Sequence, residues 1–482
     1  MIITPVLLRK GGFFLYLKLA EILTDLSILS NLWLVIGGLF LPIYVLPGFL
    51  LTVLGFSTEH RKRWRKNIGL KPKKGDSVVG RQRVGQQERL RWGLVGGGRR
   101  PDQAPAFIAH AHSRAIHASG TRQVVCAALH EEPKAAIFSA GEWPYAIHGY
   151  VSFDEMVDHQ RSLKLDDPQR MHAATVATPN FCHFKQAMAL IEAGIPTVCE
   201  KPMTMTSDEA NGLADEVEAT GVPLMVFHTY WGHVMTYLAR HIVTTGLLGK
   251  VLRAKVFYDQ DWLRQFLEGT VRQAWRARKN QSGLSCCGGD IGIHAQKQLE
   301  FVTGLRVIKI LSSHMLTIVE GRELDDDFTV RAKLENGAEV DISASQIKAG
   351  HRNRLLLEVN GSDATLIHDL ENPEELQILR PNMPVLIYRR GQISPHDGFL
   401  RKVPKWILRA SYWPAGHPEG LTDAAQRLYD AFEEDVRRYY RGLKPIHAHK
   451  RYAGADDGFE HMRFIEAAVK CAKTKVPVKI FD

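Results

Sequence analysis

The sequence predicts an α/β protein: a parallel, nucleotide-binding sheet, then a second α/β region rich in antiparallel strands, behind an apolar N-terminal extension. Three observations carry this. A short apolar strand, Arg91–Val95, runs into Gly96-Gly97-Gly98. From there to Phe227, apolar strand-like runs alternate with helical spacing, as parallel βαβ units do. After about Thr229 the texture changes to short β-rich stretches joined by turns such as Glu335-Asn-Gly337 and Asn360-Gly-Ser362, which suit antiparallel pairing. The expected divisions are an extension over 1–88, a dinucleotide-binding domain over 89–228 and a substrate and oligomerisation domain over 229–482.

The extension is set apart by charge. No charged residue lies between Asp25 and Glu59. The run 26–58 exceeds the ~20 apolar residues that cross a bilayer, although Pro42 and Pro47 interrupt it and make a re-entrant hairpin the alternative. Arg61–Lys66 then supplies five basic residues, and the positive-inside rule keeps that flank cytoplasmic. The expectation is therefore a catalytic body in the cytoplasm, anchored to a membrane through residues 26–58. Residues 67–89 read as a polar linker. The net charge of +10 resides wholly in the first 92 residues, which hold 15 Lys/Arg and five Asp/Glu. The remainder is neutral, so no nucleic-acid partner is expected. The six cysteines form no C-x-x-C pair and read as buried, reduced thiols.

In order along the body, strands are expected at Arg91–Val95, Val124–Leu129, His172–Ala177, Thr197–Cys199 and Leu224–Phe227. Helices are expected at Ala106–Ala118, Phe181–Ala193 and Ser207–Ala219, the last opened by a Ser cap. A helix over His233–Thr244 and a strand over Val251–Tyr258 follow. The β-rich stretches are Val307–Ile318, Phe328–Leu334, Glu339–Ser345, Leu355–Asn360 and Ala364–His368. Helices at Thr422–Arg441 and Phe459–Ala472 close the chain.

Gly96, Gly97 and Gly98 allow a tight turn and close approach of backbone N–H groups to a pyrophosphate at a helix N-terminus. A G-x-G-x-x-G reading puts Pro101 at the third glycine, and Arg99–Pro105 reads as added sequence before the helix. Glu131 or Glu132 could hold a ribose 2′-OH, which leaves NAD and NADP both open. Thr178, Pro179 and Asn180 end a strand where a nicotinamide ribose would lie, with His183 one turn on. Lys201, between Glu200 and Pro202 after a buried strand, is placed to bind a reacting oxygen as alkoxide develops. Asp290 and His294 are spaced to share one helix face, and imidazole suits a general base near neutrality. Metal ligation would need a third partner, and none is evident.

These residues resemble the Gfo/Idh/MocA family, the glucose–fructose oxidoreductase and inositol dehydrogenase group. The resemblance is carried by Trp92-Gly-Leu-Val-Gly-Gly-Gly98, Ala177-Thr-Pro-Asn180 with His183, Glu200-Lys-Pro202, Leu247-Leu-Gly-Lys-Val251, Trp275-Arg276 and Gly289-Asp-Ile-Gly-Ile-His294. Leu324-Asp-Asp-Asp327 and Pro414-Ala-Gly-His-Pro-Glu-Gly420 add to it. It covers about residues 89–473. The departures are the lengthened glycine loop and an insertion near Gln160–Arg170. The resemblance implies a Rossmann domain followed by an α/β domain with a large, mostly antiparallel open sheet that often mediates homo-oligomers. It also implies an NAD- or NADP-dependent dehydrogenase acting on a secondary hydroxyl of a sugar, cyclitol or related polyol. Lys201 would position that hydroxyl, His294 accept its proton and Asp290 assist. The alternatives are a same-fold enzyme that uses transient oxidation for glycoside cleavage or elimination, and a non-catalytic, membrane-tethered nucleotide-binding protein.

Overall fold

The structure, a computed structural model, describes residues 88–481 except 105, 268–271, 395, 401 and 447–450, together with strands β1 (Trp33–Ile36) and β2 (Leu39–Pro42). β1 and β2 pair antiparallel, Trp33 opposite Pro42. They belong to one compact unit, Met1–Gly80; the second unit is Arg81–Asp482. Of the predicted membrane run 26–58, only these two strands are described. The rest of that run, the Arg61–Lys66 cluster and the linker up to residue 87 lie outside the described residues. Among the described residues no helix is long and apolar enough to cross a membrane.

In the second unit the first sheet is built from β3 (Leu90–Val95), β4 (Arg122–Ala128), β5 (His148–Gly149), β6 (Ala173–Val176), β7 (Thr197–Cys199) and β8 (Leu224–Val226). All its pairings are parallel, and the order is β5-β4-β3-β6-β7-β8. β3, β6, β7 and β8 are buried at every position. That is why they read as unbroken apolar runs, as strands covered on both faces do. The strand order reverses between β3 and β6, which opens a crevice at their carboxyl ends where dinucleotides bind in sheets of this order. The helix expected to open on a Ser207 cap is capped one residue earlier. Thr206 accepts the Glu209 N–H, and Ser207 is the first helical residue.

The second sheet holds β9 (Val251–Asp259), β10 (Val307–Leu316), β11 (Asp327–Leu334), β12 (Glu339–Ser345), β13 (Arg354–Gly361), β14 (Thr365–Asp369), β15 (Glu375–Leu379), β16 (Leu386–Arg389) and β17 (Val478–Lys479). Its order is β16-β15-β14-β13-β9-β12-β11-β10-β17, antiparallel throughout except for the parallel pair β12–β9. Alternating burial along β11 and β12 packs one face and opens the other. The chain then returns to the first sheet. From the helix Leu421–Tyr440, Tyr429 and Phe432 meet the Trp92 ring at 5.4 and 6.3 Å. Asp430 and Glu433 of the same helix each hold the Arg122 guanidinium at 2.8 Å. The helix Ala455–Thr474 packs on both Ser207–Thr220 and β10. The two sheets are therefore tied together by shared helices, and this fixes the crevice between them.

Candidate active site

A cavity of about 590 Å³ lies at the carboxyl end of the first sheet. It brings together Gly97, Thr178, Pro179, Asn180, His183, Glu200, Lys201, Asp290 and His294. These come from the segments that follow three strands of the first sheet, β3, β6 and β7, and from one helix start of the second region. Gly96 and Gly98 lie in the same turn but do not line it, and Glu131 is exposed outside the lining.

Lys201 follows β7, whose burial aims the next residues at the cavity. Its Nζ donates to the Asp290 carbonyl at 2.5 Å and to Asp290 Oδ1 at 2.8 Å. Arg276 donates to the same Oδ1 at 3.2 Å, and Gln346 donates to Oδ2 at 2.9 Å. Burial works to raise the Asp290 pKa, but the Lys201 and Arg276 charges and their hydrogen bonds outweigh it and hold it at about 2. Asp290 does not cap a helix. Residues 288–292 form a π-turn ahead of the helix Ile293–Thr303, a wide turn of the kind that recurs at functional sites. That turn is braced by Asp325, which accepts from Ser285 Oγ and from the Cys286 and Gly288 N–H groups. The Leu324–Asp327 stretch thus positions Asp290 from behind.

His294 packs against the rings of Tyr230 and His228 at 5.0 and 5.6 Å. Its pKa lies well below the ordinary histidine value, first because of burial and then because of the Lys201 charge. It is a neutral imidazole, able to accept a proton. Glu200 is fully engaged: Oε1 lies 3.0 Å from His112 Nε2, and Oε2 accepts the Lys201 N–H at 3.0 Å. Burial opposes its ionisation, but the His112 hydrogen bond and charge and the nearby Lys201 bring its pKa below the usual carboxylate value. The His112 ring continues to Tyr429 and Thr175, each step 2.8 Å. His183 is a brace, with its two ring nitrogens 2.8 Å from the Pro202 and Thr178 carbonyls. Thr178 donates its hydroxyl proton to Gln186 at 2.7 Å. Asn180 reaches the Ser282 carbonyl at 3.4 Å.

The glycine turn fits a dinucleotide. Gly96 and Gly97 have φ of +89° and +88°, which side chains resist. A Cβ on Gly97 would fall on Ala109 of the following helix, and one on Gly98 would sit 2.6 Å from the Leu129 carbonyl. The helix Phe107–Ala118 has no side-chain cap, and its first residues, Phe107 and Ile108, line the cavity. Its leading N–H groups are thus left for an anion. Beyond β4, Arg100 from the lengthened loop holds Glu132 at 2.8 Å.

The far wall was not foreseen. Tyr230 and Tyr258 hydroxyls lie 2.5 Å apart, and Asn353 bridges them at 2.8 and 2.5 Å. Gln260 reaches Asn353 at 2.8 Å and is held by Trp262 at 3.0 Å. This polar fringe lines the same cavity as Lys201 and lies against His294, whose ring is 5.0 Å from that of Tyr230 and 5.9 Å from that of Tyr258. Its one sequence signal is the period of two in Tyr258, Gln260 and Trp262 at the end of β9. Among the described residues no cluster of three or more His, Cys, Asp or Glu could hold a metal.

Two family models match the chain: an oxidoreductase family with an NAD-binding Rossmann fold over residues 90–228, and the GFO/IDH/MocA C-terminal domain over residues 237–367. Together they cover more than half of it. The chain belongs to the Gfo/Idh/MocA family. It is an NAD(P)-dependent oxidoreductase of that family, with the Rossmann domain and mostly antiparallel second sheet that the resemblance implied. It is 26% identical to levoglucosan dehydrogenase of Pseudarthrobacter phenanthrenivorans over 322 residues, 60% of this chain and 76% of that one. It is 22% identical to the NADP+-dependent scyllo-inositol 2-dehydrogenase of Bacillus subtilis over 329 residues, 67% of this chain and 82% of that one. An inositol dehydrogenase homolog from Azotobacter vinelandii, solved with NAD+, aligns with a TM-score of 0.73 at 26% identity, covering 83% of this chain and 100% of that one.

Proposed function

We propose that this family member oxidises a secondary hydroxyl of a sugar, cyclitol or related polyol, with Lys201 and His294 acting on that hydroxyl. One observation carries the reading. The Lys201 ammonium has three donors; two are committed to Asp290, and the third is left for an oxygen in the cavity beside a neutral His294. A bound NAD or NADP supplies the hydride acceptor. The chain's own residues do the rest. The Tyr230, Tyr258, Gln260 and Asn353 fringe binds further hydroxyls. Lys201 holds the reacting oxygen and stabilises its charge, and His294 takes its proton. Asp290 keeps Lys201 charged and aimed. Thr178, Asn180 and Glu200 shape the nicotinamide ribose side, and Gly96–Gly98 the pyrophosphate side. Glu131, clear of the Arg100 pairing that occupies Glu132, is the carboxylate for the ribose. The named relatives act on levoglucosan and scyllo-inositol, which agrees with a polyol substrate.

The test is a polyol panel including myo-inositol and levoglucosan, with NAD+ and NADP+, followed at 340 nm. Reduced nicotinamide should accumulate with at least one polyol and fail to do so in His294→Ala. Polyol consumed without net absorbance change would assign the chain to cleavage or elimination through transient oxidation. Failure to bind either nicotinamide would leave the non-catalytic reading.

Two further proposals concern assembly. Residues 26–58 hold the chain on a membrane with its catalytic body in the cytoplasm, a reading supported by the uncharged run and its basic flank. Membranes should retain the full chain through a high-salt wash, and release by salt alone would refute it. The open face of the second sheet forms a homo-oligomer. Light scattering of residues 89–482 should give a multiple of the monomer mass, and a monomer would refute it.

A further inference from the structure

Behind His294 lie two histidines that the reaction above does not use. His228 and His461 are 1% and 0% exposed. The ring centroids step from His294 to His228 over 5.6 Å and from His228 to His461 over 4.7 Å. Neither ring nitrogen of His228 or of His461 has a protein hydrogen-bond partner. Four unpaired buried nitrogens are costly. By contrast, His112 and His183 in the same crevice have polar partners at both nitrogens.

The row ends beside a charged cluster, for His461 is the chain neighbour of Glu460. Lys297 is 1% exposed, and its ammonium meets Glu300 at 2.8 Å, Glu460 at 2.9 Å and Asp457 at 3.5 Å. Glu460 precedes His461 on the helix Ala455–Thr474. Lys297, Glu300, Asp457 and Glu460 line a second cavity, of about 810 Å³, which does not share its lining with the first.

We propose that His228 and His461 relay the proton that His294 takes from the substrate to the carboxylates around Lys297, and through the second cavity to water. This rests on His294 as the base. An imidazole can take a proton at one nitrogen and release one from the other, and His228 and His461, in ring contact along the row, have both nitrogens free for it. The balance is simple: the substrate O–H bond breaks, its proton becomes an N–H of His294, and an equivalent proton leaves at Glu460 or Glu300. No electron moves along the path. Substrate and cofactor fill the mouth of the first cavity during turnover, so a route from behind lets the proton depart before the products do. Burial first, and then the charges of Lys297 and Lys201, hold both relay histidines well below the ordinary histidine value, so the proton is passed on rather than held.

The experiment is stopped-flow absorbance at 340 nm on the full chain, with the polyol and nicotinamide that turn over fastest in the panel. In His461→Ala, His228→Gln and Glu460→Gln the first turnover and kcat/KM should match the parent, with KM falling alongside kcat. Steady-state kcat should fall between about 10- and 10²-fold, at or below the span for positioned proton-transfer groups. Added imidazole should restore kcat in His461→Ala by filling the space left. Unchanged kcat in all three variants would overturn the relay. So would a loss that also slows the first turnover and that imidazole does not repair, since that is the signature of misplacement. Glu460, at the cavity edge, tests the path even where a core histidine variant fails to fold. His294→Ala separates the two claims: if its first turnover survives, the base assignment is wrong, whatever the other variants show.

Discussion

Replacing Lys201 with methionine keeps most of the stem and removes the charge and its donors. Loss of a donor to a developing oxyanion costs about 2.7–4 kcal/mol, or about 10²–10³ in kcat. The fold should lose less than the ~3–5 kcal/mol typical of orphaning a buried charge. Asp290 keeps Arg276 at 3.2 Å and Gln346 at 2.9 Å. A second effect has its own sign. The Lys201 charge is, after burial, a cause of the low His294 pKa. Without it His294 binds protons more readily, so the acid limb of kcat/KM moves up towards the ordinary histidine value. The assay is reduced-nicotinamide formation at 340 nm across about pH 5–8, the histidine range, with cofactor affinity followed by tryptophan fluorescence. Near-parental kcat, or an acid limb that stays put or moves down, would refute the placement of Lys201 beside both the oxygen and His294.

Gly97→Val should abolish nicotinamide binding and lower Tm together, because its φ of +88° and the Ala109 contact both reject a side chain; unchanged cofactor titration would place the phosphates elsewhere. Tyr258→Phe and Asn353→Ala should raise KM more than they lower kcat, since their network binds hydroxyls away from the reacting carbon; a pure kcat loss would assign them to the chemical step. Stability should fall on acidification from about pH 6.5. Burial pushes His172 and His233 down to about 3 and His368 to about 4, with His228, His294 and His461 lowered as well. Below the unfolded value the open chain binds protons that the fold refuses, so each costs up to about 1.4 kcal/mol per pH unit until its folded pKa is reached. Urea midpoints that stay level between pH 6.5 and 5 would contradict this.

In the first sheet β3, β6, β7 and β8 were legible because they are buried at every position, so β7 reads as a plain apolar run with its bounds intact, whereas β5 was missed. The antiparallel strands β11 to β14 were legible through alternation and Asn-Gly-type turns. The short strands β15 to β17 and the helices Pro133–Gly141 and Phe153–Ser162 were missed. β5 spans two residues, and the helix Phe153–Ser162 buries only Met156, Val157 and Gln160, too few to mark a pattern. Gln160, at the start of the stretch expected to be an insertion, is a fully buried clasp, donating to Tyr150 Oη and the Gln169 carbonyl and accepting from the Met171 N–H. Within the site, Lys201, Asp290 and His294 were legible because each sits in a local motif. Tyr258 and Asn353 were not, since β9 and β13 bring them together from 95 residues apart. The return of Tyr429 and Asp430 to the first sheet left no local trace for the same reason.

The central claim is hydride transfer from a polyol carbinol carbon with the proton going to His294. The most direct measurement uses a turned-over polyol deuterated at its carbinol carbons, with mass analysis of the nicotinamide after one turnover. The account predicts one deuterium in the reduced nicotinamide ring from the parent protein, and none from His294→Ala despite intact cofactor binding. An unlabelled nicotinamide from the parent, or a labelled one from His294→Ala at the parental rate, would contradict it.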